Sequence, residues 1–234
     1  LNSHLAVGAT LLLTSRSVLD DGFWRFASER NATSMAGVPH TYDLLARGQL
    51  LARAPRSLRT LTQAGGRLPP HAVEYPRAEI EKRGGRMFVM YGQTEATARI
   101  AYLPPELLAR NSDCIGVAIP GGALSLRGDD GAEITEAGHP GELIYRGPNV
   151  MMGYALKRED LTRDAELSEL ATGDIAERMD SGLFRIVGRK SRFVKPFGLR
   201  VALDEIERRL EADGVAAMVS GSDSLIAVGV IAKA

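Results

Sequence analysis

The sequence predicts an α/β protein: a parallel-sheet αβα subdomain, a small antiparallel β-barrel-like subdomain, and the start of a small α+β C-terminal domain. Three observations predict it. From residue 1 to about 110, short apolar or β-branched runs alternate with longer amphipathic stretches, the rhythm of parallel strands joined by crossover helices. From 111 to 188, short apolar runs are broken by Gly121-Gly122, Gly128-Asp129-Asp130-Gly131, Gly138-His139-Pro140-Gly141 and Asp180-Ser181-Gly182, which are turn signals at hairpin spacing. Beyond Gly188 a basic stretch leads to Leu203, Ile206 and Leu210 at helical spacing. The expected divisions are therefore 1–110, 111–188 and 189–234.

Strands are expected near Ala9–Leu13, Thr33–Ala36, Leu58–Thr62 and Arg86–Met90. Between them a helix is expected over Gly22–Arg30. A second, Pro39–Leu51, opens on a proline whose missing N–H costs nothing in a first turn. A third, Pro70–Arg83, opens the same way and stops at Gly84-Gly85. The last, Ala202–Asp213, has Asp204 and Glu205 in the first turn, where the helix dipole favours anions, and Gly214 beyond its end.

Composition removes several function classes. The 234 residues are 44% apolar and 25% charged, the range of a chain that buries a core. Twenty-nine Lys and Arg against 29 Asp and Glu leave no net charge, so the footprint of a nucleic-acid or acidic-membrane binder is missing and an anionic ligand must be held locally. The run Leu5 to Leu13 is far shorter than the roughly 20 residues of a membrane span. Cys114, the one cysteine, makes neither an internal disulfide nor a multi-cysteine metal site, and a reducing, cytoplasmic setting is the expectation. The chain enters an apolar run almost at once and ends in another, Leu225 to Ile231, so it reads as part of a longer protein.

In open parallel sheets, ligands bind beyond the carboxyl ends of the strands. The third expected strand runs into Gln63-Ala64-Gly65-Gly66-Arg67, and the fourth into Tyr91-Gly92-Gln93-Thr94-Glu95. Neighbouring strands would turn both loops toward one crevice. There the glycines admit a flat base or a phosphate, Tyr91 a stacking ring, Thr94 a hydroxyl and Glu95 a carboxylate for a hard cation. Thr172-Gly173-Asp174 precedes an expected hairpin, where a carboxylate suits ribose hydroxyls. Cations gather at Gly188-Arg189-Lys190-Ser191-Arg192-Phe193-Val194-Lys195. Taken singly, the Gly pair also fits a plain strand-to-helix turn, Thr94-Glu95 an exposed helix start, Asp174 a β-turn, and the cations a solvated linker. No G-x-x-x-x-G-K-[ST] and no G-x-G-x-x-G follows a strand, which disfavours a P-loop NTPase and a dinucleotide oxidoreductase.

Taken in order, Tyr91-Gly92-Gln93-Thr94-Glu95, Thr172-Gly173-Asp174, Gly188-Arg189, Lys195-x-x-Gly198-x-Arg200 and Asp204-Glu205-Ile206-Glu207 resemble the motif series of the adenylate-forming ligase superfamily. That superfamily comprises acyl-CoA synthetases, peptide-synthetase adenylation domains and firefly luciferase. Gly141-Glu142-Leu143-Ile144, Gly147 and Met152-Gly153-Tyr154 look similar too, so the resemblance covers nearly the whole chain.

The resemblance implies an ATP-dependent, AMP-forming ligase that activates a carboxylic acid as its acyl-adenylate and passes the acyl group to coenzyme A or a carrier-protein thiol. It implies ATP and AMP as ligands, with magnesium. It places Thr94 on the α-phosphate and Glu95 on magnesium as catalytic residues. Gly65, Gly66, Arg67, Tyr91, Gly92 and Gln93 lie around the nucleotide, and Asp174 and Arg189 hold the ribose. Catalysis then rests on positioning and charge neutralisation rather than on a nucleophilic triad. The hinge falls on Ser191, where the family usually has Asp or Lys, and Lys195, Gly198 and Arg200 lie on the thiol-acceptor side. Met35, Gly37, Pro39, His40 and Tyr42 border the acid pocket. The resemblance puts the family's phosphate-gripping loop before Leu1 and its catalytic lysine after Ala234, so the chain alone is expected to be inactive. A non-catalytic nucleotide-binding or scaffold module is the alternative.

Overall fold

The computed structural model describes residues 2–194, 196 and 201–230. It divides into two units, one formed by Leu1–Gly92 and Ala101–Asp113, the other by Gln93–Ile100 and Cys114–Ala234.

The first unit begins with a one-turn helix, α1 (Asn2–Ala6), and then α2 (Asp21–Glu29), whose first turn is capped by the Asp20 carboxylate accepting from Gly22 N at 2.6 Å. Three parallel strands follow: β1 (Ser34–Gly37), β2 (Thr60–Gln63) and β3 (Arg86–Tyr91), with Ser34 opposite Thr60 and Thr60 opposite Arg86. Helices α3 (Pro39–Arg47) and α4 (Pro70–Glu81) make the crossovers, each opening on a proline. Strand β4 (Ala101–Leu103) runs antiparallel to β3, an element the sequence pattern did not separate. Tyr42 and Leu45 of α3, Leu61 of β2, Ala72, Val73 and Ile80 of α4 and Met87 of β3 are buried between helices and sheet. Burial pushes the Tyr42 phenol upward, and its hydroxyl donates to Thr62 O at 3.0 Å, so this side chain serves the core.

Two expectations are corrected. Residues 9–13 are not a strand; they run as half-buried to exposed coil after Gly8. An apolar run becomes a strand only where its backbone finds a ladder partner, and among the described residues β1 is paired only with β2. The helix expected over 39–51 stops at Gly48. Gln49 adopts a left-handed φ of 48°, and the chain restarts as a 3₁₀ turn, Leu50–Arg53, that buries Leu50 and Leu51.

The second unit contains β5 (Val117–Ala118) and an antiparallel sheet in the order β10-β9-β8-β6-β7: β6 (Ala123–Arg127), β7 (Glu133–Ile134), β8 (Gly141–Arg146), β9 (Leu170–Arg178) and β10 (Phe184–Arg189). Leu126, Leu143, Tyr145, Leu170, Ile175 and Ala176 are buried in it. Asp180-Ser181-Gly182 turns β9 into β10, with Gly182 at φ 81°. Thr172-Gly173-Asp174 lies inside β9 rather than ahead of the hairpin, because the strand starts at Leu170. Beyond it, β11 (Phe193–Val194) pairs with β12 (Val201–Ala202), followed by α5 (Leu203–Ala212) and the hairpin of β13 (Ala217–Ser222) and β14 (Leu225–Val230). Leu203, Ile206 and Leu210 do share one face, packed with Val194, Val219 and Ile226.

Candidate nucleotide site

In the first unit, parallel pairing of β2 with β3, Gln63 opposite Val89, brings both chains out at the same end of the sheet. Gly65 and Gly66 follow β2 at φ of 84° and 153°, where a side chain is disfavoured, and a Cβ on Gly66 would also stand 3.2 Å from the Pro39 ring. Gln63 is fully buried and donates from Nε2 to Gly66 O at 2.9 Å, fixing the loop. Arg67 is exposed just beyond. Tyr91 ends β3 half-buried, and Gly92 follows exposed. Two bare-backbone glycines and an aromatic ring thus lie at one end of the sheet, a surface that suits a planar base.

In the second unit, Gln93 enters a 3₁₀ turn, Thr94–Ala96, in extended conformation. Its Nε2 donates to Thr172 O at 2.8 Å and to Asp174 Oδ2 at 3.2 Å. Asp174 also receives Arg189, Nε to Oδ1 at 3.0 Å, because the two residues are cross-strand partners in the β9–β10 ladder. The Asp174 side chain is only 5% exposed while that of Arg189 is 66% exposed, so the carboxylate is the fixed member and the guanidinium the solvated one. Thr172 Oγ1 accepts from Asp174 N at 3.1 Å and donates to Leu143 O, tying this part of β9 to β8. The structure therefore brings Gln93, Asp174 and Arg189 together, with the exposed Thr94 one residue from Gln93.

Glu95 is held by a neighbour that the sequence reading gave no role. The Tyr154 hydroxyl donates to Glu95 Oε1 at 2.6 Å, and Met151 N donates to Glu95 O at 2.8 Å. The Tyr154 hydrogen bond, then the residue's own backbone N–H and the positive field of Arg189, lower the Glu95 carboxyl below its ordinary range. A lowered carboxyl contributes stability that is present at neutral pH and is lost as pH falls through its folded value. Tyr154→Phe is therefore expected to raise the Glu95 titration midpoint, read by carboxyl ¹³C NMR, and to cost stability at pH 7 but not in acid. An unmoved midpoint would refute the pairing.

Asn149 was also missed. Its Nδ2 donates to Ala96 O at 2.6 Å and to Arg99 O at 2.8 Å, its Oδ1 accepts from the buried Tyr145 hydroxyl at 2.6 Å, and its carbonyl accepts from Thr97 Oγ1 at 3.1 Å. The bridged residues Thr97 and Ala98 have φ of 53° and 65°, a conformation that costs a non-glycine on the order of 1 kcal/mol each. Gly147 leaves room for the Tyr145 contact, since a Cβ there would come within 2.3 Å of the Tyr145 hydroxyl oxygen.

The expected hinge, Ser191, lies in a 3₁₀ turn, Lys190–Arg192. Lys190 Nζ meets Glu142 Oε2 of β8 at 2.8 Å, and Arg192 pairs with Asp204 and Glu207 of α5. Arg189 N donates to Asp204 Oδ2 at 3.2 Å, and Arg208 Nη2 to Val187 O at 3.0 Å. Lys195, Gly198 and Arg200 lie outside the described residues.

Among the described residues no group of three or more His, Cys, Asp or Glu side chains forms a resident metal site, and no helix is long and apolar enough to cross a membrane. A single carboxylate at Glu95 fits magnesium that arrives on nucleotide phosphates, since that ion keeps several waters and needs only one or two protein carboxylates.

Known proteins share this architecture. An o-succinylbenzoate coenzyme A synthetase from Bacillus subtilis, solved in complex with AMP, superposes with a TM-score of 0.79 over 98% of this chain and 47% of its own, at 22% identity. A long-chain-fatty-acid–CoA ligase of Yersinia pestis is 33% identical over 201 residues, 86% of this chain and 35% of the relative. An indoleacetate–CoA ligase of Aromatoleum aromaticum is 29% identical over 209 residues, 88% of this chain and 39% of the relative. The chain thus spans between about a third and a half of the length of these proteins. The profile of the AMP-binding enzyme family matches residues 1–155 of the 234, and with that match the chain belongs to the AMP-binding enzyme family.

Proposed function

We propose that this chain carries the adenylate-binding part of an AMP-forming acid–thiol ligase. The observation that carries the reading is the buried Asp174 carboxylate, placed by the β9–β10 register against Arg189 and joined by Gln93. A carboxylate fixed in this way accepts two vicinal hydroxyls, as ribose recognition requires. In the reaction, a carboxylate oxygen of the acid attacks the α-phosphorus of ATP, the bond to the β-phosphate oxygen breaks and pyrophosphate leaves. A thiolate of coenzyme A or a carrier protein then attacks the acyl carbon, and AMP leaves.

Thr94 supplies a hydroxyl to the α-phosphate. Glu95 holds magnesium, which neutralises phosphate charge when bound. Gly65, Gly66, Arg67, Tyr91, Gly92 and Gln93 contact the nucleotide, with the base on the glycine and tyrosine edge. Residues 1–110 and 111–188 act as the parts of one large domain. Residues 189–234 begin a small domain that pivots at Ser191, with Lys195, Gly198 and Arg200 toward the thiol. The two ligases named above act on acids with apolar bodies, a fatty acid and an indole acid, and an acid of this kind is the substrate class here.

Calorimetric titration of the chain with AMP, Mg·ATP and GMP tests the reading. Saturable binding of AMP and Mg·ATP in preference to GMP is expected. No saturable binding by a chain shown to be folded would overturn it.

A further inference from the structure

We propose that Asn149 is a positioning residue that sets the Thr94–Glu95 turn for the phosphate and metal end of the nucleotide; this deepens the reading above and rests on it. The turn has little of its own to define it. It is three residues of 3₁₀ helix followed by two left-handed non-glycine residues, Thr97 and Ala98. Such a segment persists only where its surroundings over-determine it. Asn149 does so from both sides of the strained pair, donating one amide hydrogen to the carbonyl before it, Ala96 O, and the other to the carbonyl after it, Arg99 O. The Thr97 hydroxyl donates back to the Asn149 carbonyl, closing the clamp.

The clamp is itself seated on a rigid base. Tyr145 is fully buried in β8, with Leu124 of β6 on one side and Leu170 of β9 on the other, and its hydroxyl occupies the Asn149 Oδ1. Gly122 and Gly147 leave room for that hydroxyl, since a Cβ on either would come within 2.6 or 2.3 Å of it. Two residues beyond Asn149, Met151 N reaches the Glu95 carbonyl, and five beyond, the Tyr154 hydroxyl reaches its carboxylate. The segment from Asn149 to Tyr154 thus forms a template along the turn, linking the antiparallel sheet to Glu95 through hydrogen bonds. Both amide hydrogens and the amide oxygen of Asn149 are used, so no other side chain of that length substitutes for it.

Asn149→Asp tests this. It keeps the size of the side chain and its acceptor for Tyr145, but sets a carboxylate without hydrogens against two carbonyls. Tyr145→Phe, which removes only the anchoring hydroxyl, is the milder companion should the first variant fail to fold. Two readouts apply. Hydrogen exchange at Ala98 N–H, bonded to Gln93 O, and at Met151 N–H, bonded to Glu95 O, is expected to accelerate by roughly tenfold or more relative to the sheet amides. Titration is expected to show Mg·ATP weakened by about tenfold while adenosine, which has no phosphate, binds as before. Unchanged exchange at both amides overturns the clamp, and equal loss of adenosine and Mg·ATP shows a merely structural role. Altered exchange with Mg·ATP binding intact also overturns the inference. Wild-type protein that binds neither ligand overturns the nucleotide reading and this inference with it, while the exchange data report the clamp separately.

Discussion

Replacing Asp174 by alanine is expected to weaken AMP binding about 100-fold, close to what two charge-assisted hydrogen bonds accepted by a buried carboxylate supply. The loss should fall on the ligand rather than on the fold. Arg189 is largely solvated already, so water replaces its partner, and Gln93 keeps its bond to Thr172 O. The turn from Thr172 Oγ1 to the backbone N–H of residue 174 needs no carboxylate. The decisive control is 2′,3′-dideoxy-AMP, which lacks the hydroxyls. It should bind wild type and Asp174→Ala alike. An equal loss for AMP and its dideoxy analogue would show that the carboxylate does not hold the ribose.

Glu95→Gln is expected to remove the dependence of ATP affinity on magnesium, a loss of about 30-fold at saturating Mg²⁺, with AMP binding in EDTA unchanged. The substitution is chosen for its geometry: the glutamine oxygen still accepts from the Tyr154 hydroxyl, and the backbone bond from Met151 is untouched. Only charge is removed. Titrations of ATP at stepped Mg²⁺ concentrations measure it, and a magnesium dependence that survives in the variant would take Glu95 out of the metal role.

What the sequence made legible follows from periodicity and local chemistry. The three parallel strands and their proline-led helices were readable because each is a short apolar run followed by an amphipathic one. The helix Leu203–Ala212 was readable because its apolar spacing, acidic first turn and trailing Gly214 agree. The run at 9–13 misled because apolar character reports the wish to be buried, and ladder partnership depends on the rest of the chain. The proximity of Asp174 and Arg189 became intelligible only with the register: fifteen residues apart in sequence, they face each other across one hairpin. The Gln93 contact with Asp174, 81 residues away, and the Asn149 clamp, 50 residues from Arg99, leave no periodic trace. An asparagine after Gly147-Pro148 reads as an ordinary turn residue until the carbonyls it meets are known.

Among the described residues, polar contacts around Ser191 are of two kinds. Lys190 to Glu142 and Arg192 to Asp204 and Glu207 each lie wholly on one side of that residue, whereas Arg189 N to Asp204 and Arg208 to Val187 O span it. Rotation about the pivot proposed at Ser191 would break the second kind and leave the first intact. Two hydrogen bonds of about 1 kcal/mol each amount to a bias of roughly thirtyfold in population, a few times thermal energy. At that proposed pivot, a latch of this strength would keep one orientation dominant, and a bound reactant that gains more than this from the other orientation would reverse the ratio.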